Sequence, residues 1–212
     1  MIKFNIEQQS EAWFDARCGR VTGTRFKSLV AGASTQTYKD LLADIVCEII
    51  TGRKEESYSN AIMEHGIETE PLARAEYEDL FECQVEQVGF VIPDEDNKYH
   101  EWIGISPDGM TDGLLEIKCP LMKTHLKYIS KGEFPSDYRY QVQGQLFVTG
   151  LPYCDFMSYV EGMKPFIVRV YPEPDLFKEF ETRLDILIGQ VKQELETYEK
   201  YNYHGEQAYI GG

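Results

Sequence analysis

The chain has 212 residues, with 42% apolar and 27% charged side chains, which suits one sizeable globular domain and leaves little room for two. No apolar run approaches the roughly 18 to 20 residues that span a bilayer, and the start, MIKFNIEQQSEAWF, lacks the basic and apolar regions of a signal peptide, so a cytoplasmic protein without a membrane partner is expected. The net charge of −15 argues against general nucleic-acid binding, which relies on basic surfaces, unless contact is confined to a focused groove.

Taken in chain order, Ser10 N-caps a short helix carrying Trp13 and Phe14. CGRV then turns the chain into a second helix, capped by Thr22, with Phe26, Leu29 and Val30. Tyr38, Leu41, Leu42, Ile45, Val46, Ile49 and Ile50 fall at helical spacing and predict an amphipathic helix ending near Gly52. A further helix is expected over Asn60 to Glu82, with Leu72, Ala75, Tyr77, Leu80 and Phe81 inward and Pro71 marking a kink or a fresh start. The period then changes: Val85 to Ile92, Tyr99 to Ser106 and Leu114 to Lys118 read as strands. Helices over Leu121 to Lys131 and Ser136 to Val148 follow, then strands Cys154 to Tyr159 and Phe166 to Tyr171. A long C-terminal helix shows Leu176, Phe180, Leu184, Leu187, Val191 and Leu195 on one face. Residues 201–212 read as an arm or a disordered tail. This order predicts one α/β domain over residues 1–212, with a mixed central β-sheet flanked by helices.

The five cysteines form no CxxC pair, and the four histidines show no HExxH or HxxxH spacing. Zinc ribbons, thioredoxin-like motifs, iron–sulfur clusters and histidine zinc sites are therefore not expected. Cys119 precedes Pro120 and reads as a strand terminator rather than a nucleophile.

The residues that carry chemistry lie in SPDGMTDGLLEIKCP. Asp112-Gly113 suits a two-residue hairpin turn, which sets Met110 against Leu115 and Asp108 against Ile117. Period two places Glu116 and Lys118 on one face and Leu115 and Ile117 on the other, in the core. Asp108 and Glu116 can then converge with Lys118 at a strand end, and the Ile117 carbonyl adds an oxygen. Such hard donors suit Mg2+, with Lys118 orienting a water for phosphodiester hydrolysis. Taken alone, the same run also fits a surface hairpin with solvated or paired charges.

This stretch resembles the PD-(D/E)xK nuclease superfamily and, more closely, the lambda-exonuclease-like (YqaJ-type) viral recombinases. ARCGRVTGTRF is similar to that family's R-x-G-x-(I/V)-T-A-S block, EHGIETEPLARAEYE to its helical G-x-x-x-E block, and YQVQGQLFVTG to its Q-V-Q motif, all in family order over roughly residues 10 to 150. The sequence departs from the pattern at Gly23 and Thr24, where Ala and Ser are common, and at Gly144 and Phe147 after Q-V-Q. The resemblance implies a restriction-endonuclease-like core, with Asp108 and Glu116 as metal ligands beside the Ile117 carbonyl already noted and Lys118 as the catalytic lysine. Glu70 would lie beside the metals and the attacking water; Arg17, Thr22 and Thr24 would hold a 5′-phosphate; Gln141 and Gln143 would lie near substrate. For Glu70 and the two glutamines the alternative is a solvated helix face, and for Arg17 an ion pair or a helix C-cap.

The activity implied is a Mg2+-dependent (Mn2+ as substitute) 5′-to-3′ exonuclease on linear double-stranded DNA bearing a 5′-phosphate. It would release mononucleotides and leave 3′ tails for phage-type recombination in a bacterial host. The resemblance also implies a homotrimeric ring working with a single-strand annealing protein; such a ring would reconcile the acidic charge with DNA, since basic residues such as Arg17, Arg20, Arg25, Lys123, Lys127 and Lys131 could line its channel. A restriction-type or structure-specific endonuclease and a non-catalytic DNA-end scaffold are the alternatives.

Overall fold

The computed structural model describes residues 1–53 and 61–201. The expected tail beyond Tyr201 and the expected helix start at Asn60 lie outside the described residues. Among the described residues, no helix is long and apolar enough to cross a membrane.

The chain begins with a strand that sequence reasoning missed, β1 (Ile2–Phe4), which pairs antiparallel with β2 (Phe90–Ile92). Helix α1 (Glu11–Arg17) starts where Ser10 Oγ accepts the Trp13 N–H. The expected second helix is shorter than the sequence suggests: a 3-10 turn over Gly23–Arg25 leads into a single helical turn, α2 (Phe26–Leu29). Thr22 occupies the N-cap position of that 3-10 turn, but its hydroxyl makes no capping bond. Helix α3 (Gln36–Thr51) is capped by the Thr35 hydroxyl and stops at Gly52, whose left-handed backbone (φ 68°) glycine adopts without a Cβ penalty.

Helix α4 (Ala61–Phe81) runs through Pro71. Its inward face differs in part from the expected one: Tyr77 is buried as expected, with Thr69, Ala73 and Arg74, whereas Ala75 is exposed and Leu72, Leu80 and Phe81 are about half exposed. Thr69, Ala73 and Tyr77 repeat at i and i+4, and Arg74 is buried beside them because this face meets the functional site rather than a purely apolar core. The expected strand over 99–106 is absent as a strand. Trp102 and Ile103 both donate backbone bonds to Tyr99 O, which curls the chain, and only single bridges join Ile103 to Val21 and Ile105 to Val91.

The central sheet contains β3 (Gly109–Met110), β4 (Leu114–Lys118), β5 (Cys154–Ser158) and β6 (Phe166–Val170), in that spatial order. The β4–β5 pair is parallel and the other two are antiparallel, so the sheet is mixed as expected. The parallel pair requires a crossover, supplied by α5 (Met122–Lys131), a 3-10 turn at Ser136–Tyr138 and α6 (Arg139–Thr149). The hairpin register is one residue off the expected one: Met110 pairs with Leu114 and Gly109 with Leu115. The connection is a three-residue loop, Thr111 to Gly113, closed by a Thr111 N–H bond to Gly113 O at 2.8 Å.

Strand β4 is buried on both sides, so both its faces carry structural work. Leu114 joins the larger core, with Phe26, Leu146, Phe180 and Leu184, while Leu115 and Ile117 pack with Ala73 and Tyr77 of α4. Helix α7 (Pro174–Lys200) covers the larger core with Leu176, Phe180, Leu184, Leu187 and Val191, the apolar face that its spacing predicts. Gly144 of α6 lets the Phe26 ring approach, since a Cβ there would lie 2.3 Å from Phe26 Cδ2. This contact sets how closely α6 approaches its neighbours, and α6 roofs the site.

Candidate active site

Period two along β4 places Glu116 on the α6 side, and its carboxylate is wholly buried. A buried carboxylate needs several donors. Gln141 Nε2 binds Glu116 Oε1 at 2.5 Å, Gln145 Nε2 binds Oε2 at 2.6 Å, and the Lys118 ammonium is ion-paired to the same group. Gln145 Oε1 is buried and has no hydrogen-bond partner among the described residues. An unpaired buried carbonyl costs about 1–3 kcal/mol, so this side chain sits where Glu116 needs its N–H rather than where its own groups are best satisfied.

Asp108 reaches β4 from the segment before the hairpin, and its Oδ2 accepts the Ile117 N–H at 2.7 Å. A residue in a strand directs its N–H and C=O to the same edge, so the Ile117 carbonyl also leaves on the Asp108 side. Burial, reinforced by the Glu116 charge, pushes the Asp108 carboxyl well above the usual carboxylate range. Burial lowers the proton affinity of Lys118, but Glu116 and Asp108 outweigh it and raise the ammonium above its ordinary value, so it stays charged. Lys118 Nζ also lies 5.4 Å from the centre of the Tyr138 ring.

Glu70 approaches from α4, ion-paired to Arg74 one turn on. Burial raises its carboxyl, with Glu116 adding to the rise and Arg74 and Lys118 opposing it. Arg74 also donates Nε to Asp108 O at 3.1 Å, tying α4 to the Asp108 segment. Asp108, Glu116, Lys118, Glu70 and Gln141 therefore gather in one place.

Gln143 does not join them. Its Nε2 binds Tyr171 O at 2.8 Å and its Oε1 accepts the Glu173 N–H at 2.8 Å, so it fastens α6 to the start of α7. The helical period explains this, because residues four apart share a face and residues two apart do not. Gln145 and Arg74 are the functional neighbours that the motif reading missed, and both stand at i+4 from residues it named.

A second site lies beside the first. Arg17 Nη1 binds Ser106 Oγ at 2.8 Å, Nη2 lies 3.4 Å from Thr22 Oγ1, and the guanidinium sits 4.1 Å over the Trp13 ring. Trp13 Nε1 holds the same Ser106 hydroxyl at 2.8 Å. Among the described residues no carboxylate is ion-paired to Arg17, and burial together with repulsion from Arg25 lowers its pKa to about 10. A partly buried cation whose hydrogen-bond partners are neutral hydroxyls is suited to an anion. Thr24 is exposed on the 3-10 turn, apart from these contacts.

Of the basic residues expected to line a channel, Arg20 and Arg25 are engaged within the chain. Arg20 is bonded to His100 O at 2.6 Å, and Arg25 is ion-paired to Glu48. Lys123, Lys127 and Lys131 remain exposed on α5.

The donor set at Asp108 and Glu116 fits a divalent cation. A wholly buried carboxylate, Glu116, a partly buried one, Asp108, and a backbone carbonyl are hard oxygens, and a cation would offset both the desolvation and the Glu116 charge that raise the Asp108 carboxyl. Among the described residues, no three His, Cys, Asp or Glu side chains form a closed metal cage. Mg2+ commonly uses one or two carboxylates and completes its shell with water and substrate phosphate.

Comparison with known proteins gives a consistent picture. Residues 12–152 match the model of the YqaJ-like viral recombinase domain. The structure is similar to an alkaline exonuclease, LHK-Exo, from Laribacter hongkongensis, at 33% identity and a TM-score of 0.79, covering 90% of this chain and 97% of that one. The same enzyme in complex with dAMP matches at 32% identity and the same TM-score and coverage. A phage-related exonuclease from Haemophilus somnus 129PT shares the fold at 14% identity and a TM-score of 0.62, over 84% of this chain and 96% of that one. Curated protein sequences give no match.

Proposed function

The chain belongs to the YqaJ-like viral recombinase family, with a PD-(D/E)xK nuclease fold, and we propose that it is a Mg2+-dependent 5′-to-3′ exonuclease on linear double-stranded DNA. It releases mononucleotides and leaves 3′ single-stranded tails. One observation carries this reading: the two sites share a stretch of backbone, with Ser106 in the Arg17 pocket and Asp108 in the carboxylate–lysine centre. The Cα atoms of Ser106 and Asp108 are at most roughly 7 Å apart, which makes the two sites neighbours on the scale of successive phosphates of a DNA strand. A terminal 5′-phosphate in the Arg17 pocket therefore brings the next phosphate to the carboxylates, and each cut frees one nucleotide.

Asp108, Glu116 and the Ile117 carbonyl would hold the cation, Mg2+ or Mn2+, which supplies positive charge to the scissile phosphate and its leaving oxygen. Lys118, kept protonated by its two carboxylate neighbours, donates to the attacking water and offsets charge on the phosphate. Glu70 lies close enough to feel both Lys118 and Glu116, a position from which its carboxylate would accept a hydrogen bond from that water. Gln141 and Gln145 keep Glu116 in place. Arg17, backed by Trp13, offers a bidentate fork to the terminal phosphate, and Ser106 and Thr22 add hydroxyls.

The test uses end-labelled linear duplexes with a 5′-phosphate or a 5′-hydroxyl, Mg2+ with and without chelator, and a covalently closed circle. The expected result is chelator-sensitive loss of the phosphorylated 5′ ends and an intact circle. Cleavage of the circle would overturn the exonuclease reading, and attack from 3′ ends would overturn its polarity. Assembly as a homotrimer working with a single-strand annealing protein belongs to the same proposal. A monomer in sedimentation analysis would remove the ring.

A further inference from the structure

The loop that joins Arg17 to Thr22 is short, and one buried carboxylate on α3 holds it. Glu48 is only 4% exposed. Its Oε2 accepts the Gly19 N–H at 2.9 Å and Arg25 Nη1 at 2.9 Å, and its Oε1 accepts Arg25 Nη2 at 2.5 Å. Its backbone carbonyl faces Cys18 Sγ at 3.3 Å. Arg25 extends the stitch by donating Nη1 to Arg20 O at 2.9 Å. Gly19 has φ +70°, and a Cβ there would lie 2.8 Å from Ile49 Cγ1, so the loop lies directly on α3 next to Glu48. The glycine of the R-x-G block thus serves a docking contact that its local sequence does not reveal.

We infer that Glu48 is a positioning residue for the terminal phosphate, acting through Arg25 and the 18–25 loop to set the Arg17–Thr22–Ser106 pocket. This inference rests on the phosphate reading of Arg17. Two physical effects combine. Geometrically, the carboxylate fixes both ends of the loop: Gly19, two residues after Arg17, and Arg25, three residues after Thr22. Electrostatically, both Glu48 oxygens are taken up by Arg25 and the Gly19 N–H, so the nearby acid does not neutralise Arg17. The charges of Glu48 and Arg25 act on Arg17 in opposite senses, and the guanidinium is left for an external anion. An acid bonded to Arg17 itself would compete with phosphate; this one is held by a second arginine.

The experiment measures kcat and KM of the full chain on duplexes with 5′-phosphate and 5′-hydroxyl ends, together with the melting temperature. Variants are Glu48→Gln, which keeps the shape and removes the charge, Arg25→Lys, which keeps the charge and removes the fork, and Arg17→Ala. The expected result for Glu48→Gln is about a tenfold loss of the phosphate-to-hydroxyl preference, through KM on the phosphorylated end, with little change on the hydroxyl end. Arg25→Lys should shift the same ratio in the same direction, and it decides the matter if Glu48→Gln does not fold. An equal fall on both ends would mark Glu48 as merely structural and overturn the inference. So would an unchanged ratio in Glu48→Gln when Arg17→Ala has lost it. If the wild-type protein shows no preference for phosphorylated ends, the phosphate reading itself fails, and that outcome is separately visible.

Discussion

Replacing Gln145 with leucine separates what this residue contributes to stability from what it contributes to the site. Leucine is close to glutamine in volume, so the buried space under α6 stays filled. The variant loses the hydrogen bond from Nε2 to the charged Glu116 carboxylate at 2.6 Å, worth about 1.5–3 kcal/mol. It also removes the buried Gln145 Oε1, which has no partner among the described residues, recovering about 1–3 kcal/mol. The two changes nearly cancel, and the net effect on stability is within about 1 kcal/mol, a shift in Tm of no more than about 4 °C for a chain of this size. Activity should respond differently. Glu116 would keep Gln141 and Lys118 but lose the amide that fixes its second oxygen, and loss of such a supporting contact costs roughly 10–100-fold in activity or metal affinity. The assay is a Mg2+ titration of nuclease rate beside thermal unfolding of the same preparation. A variant with wild-type rates at every Mg2+ concentration, or one that loses more than about 2 kcal/mol of stability at unchanged rate, would refute the assignment of Gln145 to the site.

Gln143→Leu should behave in the opposite way, because it leaves Tyr171 O and the Glu173 N–H without their partner at the start of α7. Denaturant unfolding should show a loss of about 2–3 kcal/mol, while kcat per folded molecule stays near wild type. Gly144→Ala places a Cβ 2.3 Å from the buried Phe26 ring, and overpacking of this kind costs about 1–3 kcal/mol, readable as a lower denaturation midpoint at constant m. Burial, aided by the charges of Glu70 and Asp108, raises the Cys119 thiol to about 11, so below that pH it is held as the unreactive thiol. Iodoacetamide labelling followed by mass spectrometry should find Cys119 slow at pH 7.5 and faster only toward pH 11, and Cys119→Ser should retain activity; rapid labelling at neutral pH would contradict the buried environment.

Helices α3 and α7 are legible from local periodicity because each repeats an apolar pattern along one face, and β4, β5 and β6 are legible as short strand-forming runs between helical segments. The segment 99–106 has a strand's composition but curls at Tyr99, and β1 is too short for period two to register. The inward face of α4 defeated the same reasoning, since its apolar residues are largely the exposed ones and Arg74 is buried. There the requirement of the site outweighs the hydrophobic rule.

The spacing of Asp108, Glu116 and Lys118 on a hairpin allows an acid, a second acid and a lysine to meet at one strand end, although the run taken alone also fits a surface hairpin with solvated charges. A one-residue error in register did not disturb that meeting, because Asp108 lies beyond the paired residues and binds the Ile117 N–H directly. Spacing in the chain did not show which of three glutamines on α6 faces Glu116, which arginine accompanies Glu70, or which carboxylate fastens the Arg17 loop. Gln141 and Gln145 share a face by the helical period, but which face looks down on β4 depends on how α6 is rotated against Phe26 and the sheet. Glu48 reaches Gly19 and Arg25 only because α3 packs against the loop. Local periodicity is written residue by residue along the chain; the partner of a buried charge is chosen by the packing of elements far apart in sequence, and only the tertiary structure supplies it.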